Sequence, residues 1–340
     1  MMKQTAVRVH NVMRVLSVCL GATALLGCAV ESGPTAEGAN TERFTSRKQA
    51  IFGGEPSDDS AYRAVGALAL KYEIEFEPGE PPFIIYESFC TGTLIDDTAV
   101  LTARHCTEAA AEYVAGGWEV YFTIGSFSWE PEQAVRVVDW QQAPASETHP
   151  GLLLNGGRDV AVAYLEQAPV DIEPAKLGLF KKKQVDDEFE IIGFGYTDYY
   201  LEDYGFYDVG SKLHGKATGR SLGGPWYSLL FDGDYDAYLE WYFADAVTDA
   251  RSEEQALEWW NIYNLEPGYE LLAGSPSESF GCFGDSGGPL AISKNNKLTV
   301  YGVSFATESS MSNVCTGGGA YLVLNQKMLT FVKKAIADCP

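Results

Sequence analysis

The chain has 340 residues, 46% of them hydrophobic, and a formal net charge of −23. That length and apolar content can bury a substantial core in one large or two smaller units, so disorder is not the expected state. The acidic excess excludes nucleic acid as a partner class, because phosphate binding needs a basic face, and it favours solubility.

Residues 1–27 read as an export signal. Lys3, Arg8 and Arg14 stand against no acid and precede the apolar run Val15 to Leu26, which is too short to span a bilayer comfortably. Leu25-Leu26-Gly27-Cys28 resembles the lipobox of bacterial lipoproteins, which implies lipidation of Cys28 and an anchor in the cell envelope; a plain secretory signal is the alternative. On either reading the protein leaves the cytoplasm, and an oxidising compartment then favours disulfides. Residues 28–50 are small, polar and aperiodic, as suits a tether or pro-segment, so order is expected from Ile51 onward.

Short apolar runs broken by turns follow: Val65 to Leu70, Phe83 to Ile85, Thr93 to Ile95, Ala99 to Ala103, Val120 to Ile124, Val135 to Trp140, Val160 to Leu165 and Glu190 to Phe194. With no βαβ rhythm among them, the spacing predicts an all-β sandwich or barrel. Near the end, Leu324, Met328, Phe331, Val332, Ala335 and Ile336 recur every three to four residues after Asn325, which predicts a capped amphipathic helix over about 325–338.

Chemistry concentrates in Gly281-Cys282-Phe283-Gly284-Asp285-Ser286-Gly287-Gly288-Pro289-Leu290. Glycines at this density leave backbone N–H groups uncovered, and a serine set among them has the parts of an acyl-transfer site: a hydroxyl to attack and donors for the oxyanion. Such a serine needs a base and a group to orient that base. Only four histidines are present. His10 lies in the export segment, and His149 and His214 read as loop and strand residues. His105, in Val100-Leu101-Thr102-Ala103-Arg104-His105-Cys106, is the candidate base, and Asp159 heads the apolar run Val160 to Leu165, a place where an acid is more often a turn residue than an orienting carboxylate.

These three motifs, in the order His, Asp, Ser, together resemble the trypsin/chymotrypsin family of serine endopeptidases. The resemblance implies two six-stranded antiparallel β-barrels followed by one helix, a first barrel over about 51–165 and a second over about 166–323. It implies a catalytic triad of His105, Asp159 and Ser286, with the N–H groups of Gly284 and Ser286 as oxyanion donors. Ile51-Phe52-Gly53-Gly54 resembles the family's mature N-terminus, so cleavage before Ile51 by a separate protease would free an amine to meet Asp285. Ala50 before that bond departs from a trypsin-like activation site, and Arg47-Lys48 offers a first nick. Disulfides Cys90–Cys106 and Cys282–Cys315 are implied, leaving Cys339 as a free thiol in a frayed terminus or a link to another chain. Arg104 departs from the family's small residue there, either loosening the pocket behind the imidazole or lying exposed.

The resemblance further implies that Tyr301 to Ala306 is the substrate strand, with Ser304 behind the triad and Phe305 as an aromatic platform. Phe280 would floor the primary pocket, with Ala306 at its entrance and Gly318 or Gly319 as its far wall. A shallow pocket for small or apolar side chains is expected, unless Phe280 turns away and Glu278 intrudes. The substrate class is protein or peptide, and no cofactor or metal is implied.

The family pattern does not account for residues 221–265. Between 221 and 270 stand eleven acids, one base and twelve aromatics. They form either a surface subdomain with an aromatic core, a lid or exosite for a basic peptide, or a calcium loop through Asp232, Asp234 and Asp236, although the glycine and terminal glutamate of an EF-hand are absent. Ser252 and Gln255 have the spacing of a helix start. A protease-fold binding or adhesion protein that uses this insertion is the alternative to an enzyme.

Overall fold

The computed structural model describes residues 51, 54–57, 60–75, 79–144, 156–201, 206–244, 252–308 and 315–339. Lys48–Tyr199 and Tyr207–Pro340 form one compact unit; the second unit, Met1–Arg47 with Tyr200–Phe206, falls almost wholly outside the described residues. The expected signal, tether and lipidation site at Cys28 therefore lie outside them, as does His149.

Six strands close the first barrel: β1 (Val65–Ile74), β2 (Phe83–Asp96), β3 (Ala99–Thr102), β4 (Val120–Ile124), β5 (Gln133–Gln142) and β6 (Ala161–Leu165), in the order β1-β2-β3-β6-β5-β4. Its interior takes Leu68, Leu94, Val100, Phe122 and Ile124, all fully buried, which share one face by register. The two apolar runs read as separate strands at 83–85 and 93–95 belong to the single strand β2, exposed where its hairpin with β1 stands beyond the barrel and buried from Cys90 onward. Helix α1 (Arg104–Ala115) follows β3.

The second ring has six strands as well: β7 (Glu188–Gly193), β8 (Leu213–Leu222), β9 (Glu270–Ala273), β10 (Pro289–Lys294), β11 (Lys297–Glu308) and β12 (Thr316–Val323), closed in the order β8-β9-β12-β11-β10-β7. All its ring pairings are antiparallel. Between β8 and β9, Gly224–Pro225 pairs with Asn264–Leu265 and closes the base of the insertion, which carries α2 (Trp226–Leu230), α3 (Tyr235–Ala244) and α4 (Glu253–Ile262). The insertion's aromatic rings pack on one another: Tyr238 lies 4.8 Å from Tyr227 and 5.1 Å from Trp260 between ring centres. Trp226, Tyr238 and Tyr242 are fully buried while Asp232, Asp236, Glu240, Glu253 and Glu254 face solvent. Asp232 pairs with Arg220, and Asp234 accepts from the N–H of Ala237 at the start of α3, so two of the three acids considered for calcium have structural partners. Ser252 caps α4 by accepting from Gln255 N–H at 3.2 Å.

The chain ends in α5 (Gln326–Ala337). Asn325 Oδ1 accepts from the N–H groups of Lys327 and Met328, two donors that a helix start otherwise leaves unpaired. Met328, Leu329, Val332 and Ala335 are buried, and Tyr164 of β6 donates its hydroxyl to the Ala335 carbonyl at 2.8 Å, which docks α5 on the first barrel. Cys339 is a free thiol held 3.3 Å from Thr98 Oγ1; that end of the chain is seated against the first barrel rather than frayed.

Candidate active site

His105 is the second residue of α1, where backbone N–H groups have no intrahelical acceptor. Ala103 at the N-cap has no side chain to offer one. Asp159 supplies it: Oδ1 accepts from His105 N–H at 2.9 Å while Oδ2 accepts from the His105 ring at Nδ1, 2.8 Å away. The carboxylate is fully buried. An ionised carboxylate only accepts, so the ring proton sits on Nδ1 and Nε2 is left as the basic nitrogen. One acid thus positions both the backbone and the ring of the histidine.

Arg104 neither opens the space behind the imidazole nor lies free in solvent. Its Nε bonds Glu108 along the helix at 2.8 Å and its Nη1 donates to the Ala143 carbonyl at 2.7 Å. Ala143 in turn donates to the carbonyl of Val160, the residue after Asp159. The side chain that departs from the family pattern therefore braces the strand behind the orienting carboxylate.

The Cys90–Cys106 disulfide, with Cα atoms 6.1 Å apart, ties α1 to β2. Cys106 Sγ lies 3.7 Å from His105 Nε2 and 3.5 Å from the Ser286 carbonyl oxygen, so the basic nitrogen and the serine loop meet at this sulfur. Cys90, His105 and Cys106 have the proximity of a metal cluster, but both sulfurs are spent in the disulfide and offer no thiolate.

The Gly281–Leu290 loop is stitched to both barrels. Tyr196 N–H donates to the Phe283 carbonyl at 2.7 Å. Across that same trans peptide plane the Gly284 N–H points the opposite way, and no described residue accepts from it or from the Ser286 N–H. Gly284 has φ +93°, a conformation that side-chain-bearing residues rarely adopt. On its other side, the Gly284 carbonyl accepts from Thr91 Oγ1 at 2.9 Å. Thr91 N–H donates to the Ser286 carbonyl at 2.8 Å, and Thr91 Oγ1 accepts from Phe194 N–H at 3.1 Å. Fully buried Thr91 is thus the point where the first barrel grips the serine loop. Sequence reasoning missed it, along with Tyr196; the threonine directly after Cys90 was the available signal.

Asp285, 2% exposed, accepts from Gly195 N–H and Cys282 N–H, both at 2.8 Å. Added Cβ atoms at Gly193 or Gly195 would collide with its carboxylate, so that glycine pair makes its room. Burial pushes the carboxyl up to about 7, against the pull of the two N–H donors. No cation among the described residues pairs with it. Ile51 is buried in the second barrel's core, in the cluster that holds Phe189, Leu213 and Tyr321. His214 lies on β8 with its ring 5.0 Å from that of Tyr62.

Along β11, Ser304 exchanges backbone bonds with Gly287 and Gly288, both 2.8 Å. Phe305 is 1% exposed and belongs to the main core, so its ring is sunk in the core rather than presented as a platform. Phe280 is buried against the Cys282–Cys315 disulfide, whose Cα atoms are 5.6 Å apart. Glu278 turns to β8, accepting from the Thr218 hydroxyl at 2.6 Å. Thr307 Oγ1 donates to the Gly281 carbonyl at 3.0 Å, and Gly319 lies opposite Thr307 on β12. Beyond Ala306, Glu308 accepts from Trp226 Nε1 at 2.9 Å, joining the insertion to the end of β11; burial pushes that carboxyl up to about 7.

Residues 51–210 match the trypsin family model, a span that includes His105 and Asp159 but ends before Ser286. No curated protein matches. Among solved structures, neuropsin, a serine protease expressed in the limbic system of mouse brain, superposes with a TM-score of 0.50 at 18% identity, covering 83% of this chain and 98% of that one; at that identity the likeness speaks for the fold alone. The family match over residues 51–210, with the paired six-stranded rings and their terminal helix, supports a place for this chain in the trypsin/chymotrypsin-like family.

Proposed function

We propose that the protein is a serine endopeptidase that hydrolyses peptide bonds through an acyl-enzyme. The observation that carries the reading is the bidentate hold of buried Asp159 on His105, whose Nε2 lies 3.7 Å from the same Cys106 sulfur that meets the Ser286 carbonyl. Ser286 Oγ attacks the scissile carbonyl carbon while His105 Nε2 takes its proton; Asp159 stabilises the imidazolium that forms. The new oxyanion accepts from the Gly284 and Ser286 N–H groups, which have no described protein acceptor. Collapse breaks the C–N bond as His105 gives its proton to the leaving amine, and water then repeats the sequence to release the acid.

Cleavage before Ile51 activates the enzyme. The new ammonium meets Asp285, a carboxylate whose ionisation is costly in the uncut chain because it is buried without a cation. Buried Phe280 beside the Cys282–Cys315 bridge favours small or apolar side chains at the primary pocket. Export and lipidation at Cys28 fit a domain that carries two disulfides.

A fluorophosphonate probe tests the reading on protein that begins after Cys28 and is cut to expose Ile51. Labelling of the cut form alone, lost in Ser286→Ala, is the expected result. A folded, correctly cut protein that resists the probe overturns it.

A further inference from the structure

Glu270 is a fully buried acid with no part in the chemistry described above. It opens β9 in the second barrel, paired in register with Leu322 of β12. Its Oε1 accepts from Gly157 N–H at 2.6 Å and its Oε2 from Glu266 N–H at 2.6 Å. Gly157 belongs to the first barrel and stands two residues before Asp159. One carboxylate therefore holds a backbone donor from each side of the cleft.

The grip on Gly157 is two-sided. Arg158 Nη1 donates to the Gly157 carbonyl at 2.8 Å, and its guanidinium lies 4.3 Å over the ring of Tyr269, the neighbour of Glu270. Gly157 has φ +65°, and a Cβ there would come within 2.8 Å of Tyr269 Cβ and 2.9 Å of Glu266 Cγ. The backbone is pressed against the 266–270 turn as closely as only glycine allows. From Arg158 the chain has one residue left before Val160, whose N–H bonds the Arg158 carbonyl and whose carbonyl bonds Ala143 N–H. Asp159 is thus suspended between a clamp on the second barrel and the edge of the first.

We infer that Glu270 is a positioning residue: it anchors the Gly157–Arg158 backbone to the second barrel and so sets the reach of the Asp159 carboxylate toward His105. A carboxylate suits the task because both of its oxygens accept, where an amide would turn a donor against one of the two N–H groups. Burial chiefly disfavours its ionisation, the Glu266 and Gly157 N–H groups favour it, and the facing charges of Glu266 and Asp159 disfavour it further, with Arg158 set over Tyr269 beside them. The inference rests on the endopeptidase reading only for its kinetic consequence; the geometry of the His105–Asp159 pair can be read without turnover.

The experiment compares wild type, Glu270→Gln and Glu270→Ala in the cut, disulfide-intact protein. Folding is checked by thermal unfolding, and the downfield proton of His105 Nδ1–H is followed by NMR alongside kcat and KM on a short peptide substrate. Misplacing a catalytic group by about an ångström costs roughly hundredfold, so Glu270→Ala is expected to lower kcat by that order with KM little changed and to shift or broaden the Nδ1 proton. Glu270→Gln, which keeps one of the two accepted bonds, falls between. In an Asp159→Asn background the same Glu270→Gln change should cost almost nothing further, because the group it positions is already disabled. A folded Glu270→Gln protein with unchanged Nδ1 resonance and kcat overturns the inference, as does an undiminished loss in the Asp159→Asn background. A wild type that shows the Nδ1 proton but no turnover would sink the endopeptidase reading, and the resonance would still decide the role of Glu270.

Discussion

Replacing Asp285 by Asn should have opposite effects on stability before and after cleavage at Ile51. In the uncut chain the carboxylate is buried, accepts two N–H groups and has its ionisation pushed from 3.8 up to about 7 by burial. A raised folded-state value means that the neutral form is favoured in the fold: the contribution is fully present below about pH 4 and is lost as pH rises through about 7. Near pH 8, holding the charge costs on the order of 4 kcal/mol, from about 1.4 kcal/mol per unit of displacement. Asparagine escapes that cost but turns a donor toward one of the two N–H groups, losing about 1–3 kcal/mol. Uncut Asp285→Asn should therefore be more stable than uncut wild type near pH 8, by about 1–3 kcal/mol, and less stable near pH 4. On the proposed activation the α-ammonium of Ile51 would meet the carboxylate in the cut protein, and removing one partner of a buried pair costs about 3–5 kcal/mol. Thermal unfolding of both forms at the two pH values reads the result; for a domain of this size each kcal/mol is roughly 2–4 °C. Shifts of the same sign in cut and uncut protein near pH 8 would refute the idea that Asp285 receives the new terminus.

Thr91→Val keeps the shape of the side chain and removes the hydroxyl that fixes the Gly284 carbonyl; kcat should fall about tenfold or more with KM steady, and Thr91→Ser should restore most of it, as steady-state kinetics would show. Trp226→Phe strips partly buried Glu308 of its 2.9 Å donor. A loss of about 1–3 kcal/mol should follow, with faster amide exchange in α2 and at the end of β11 while exchange in the first barrel stays unchanged. Cleavage of a mixed peptide library should favour small aliphatic side chains before the scissile bond; a dominant preference for Arg or Lys would show that Phe280 does not bound the pocket.

What could be read from the sequence was local. His105, Asp159 and the Gly281–Leu290 loop announce themselves through neighbours within a few residues, and Asn325 and Ser252 are visible as caps because a cap acts two or three positions away. The residues that went unnoticed act through backbone atoms at long range. Thr91 reaches Gly284 across 193 positions and Glu270 reaches Gly157 across 113, and neither carries a motif. Glu270 was hidden by its company: in a window of eleven acids the default is a solvated face, yet this one is buried between the barrels. Phe305 was misjudged for a related reason, since an aromatic on a substrate strand looks the same in sequence whether its ring faces the groove or the core. The continuous strand β2 was read as two because its outer half pairs only in a hairpin and lacks a buried face.

The docking of α5 bears on the order in which this protein can be made. Tyr164 has its hydroxyl bonded to the carbonyl of Ala335, 171 positions later, and Cys339 rests against Thr98. The helix that covers the outer face of β6, the strand following Asp159, therefore docks only after the chain has been made as far as Ala335. A chain cut short before α5 would leave the Tyr164 hydroxyl and the outer face of β6 uncovered.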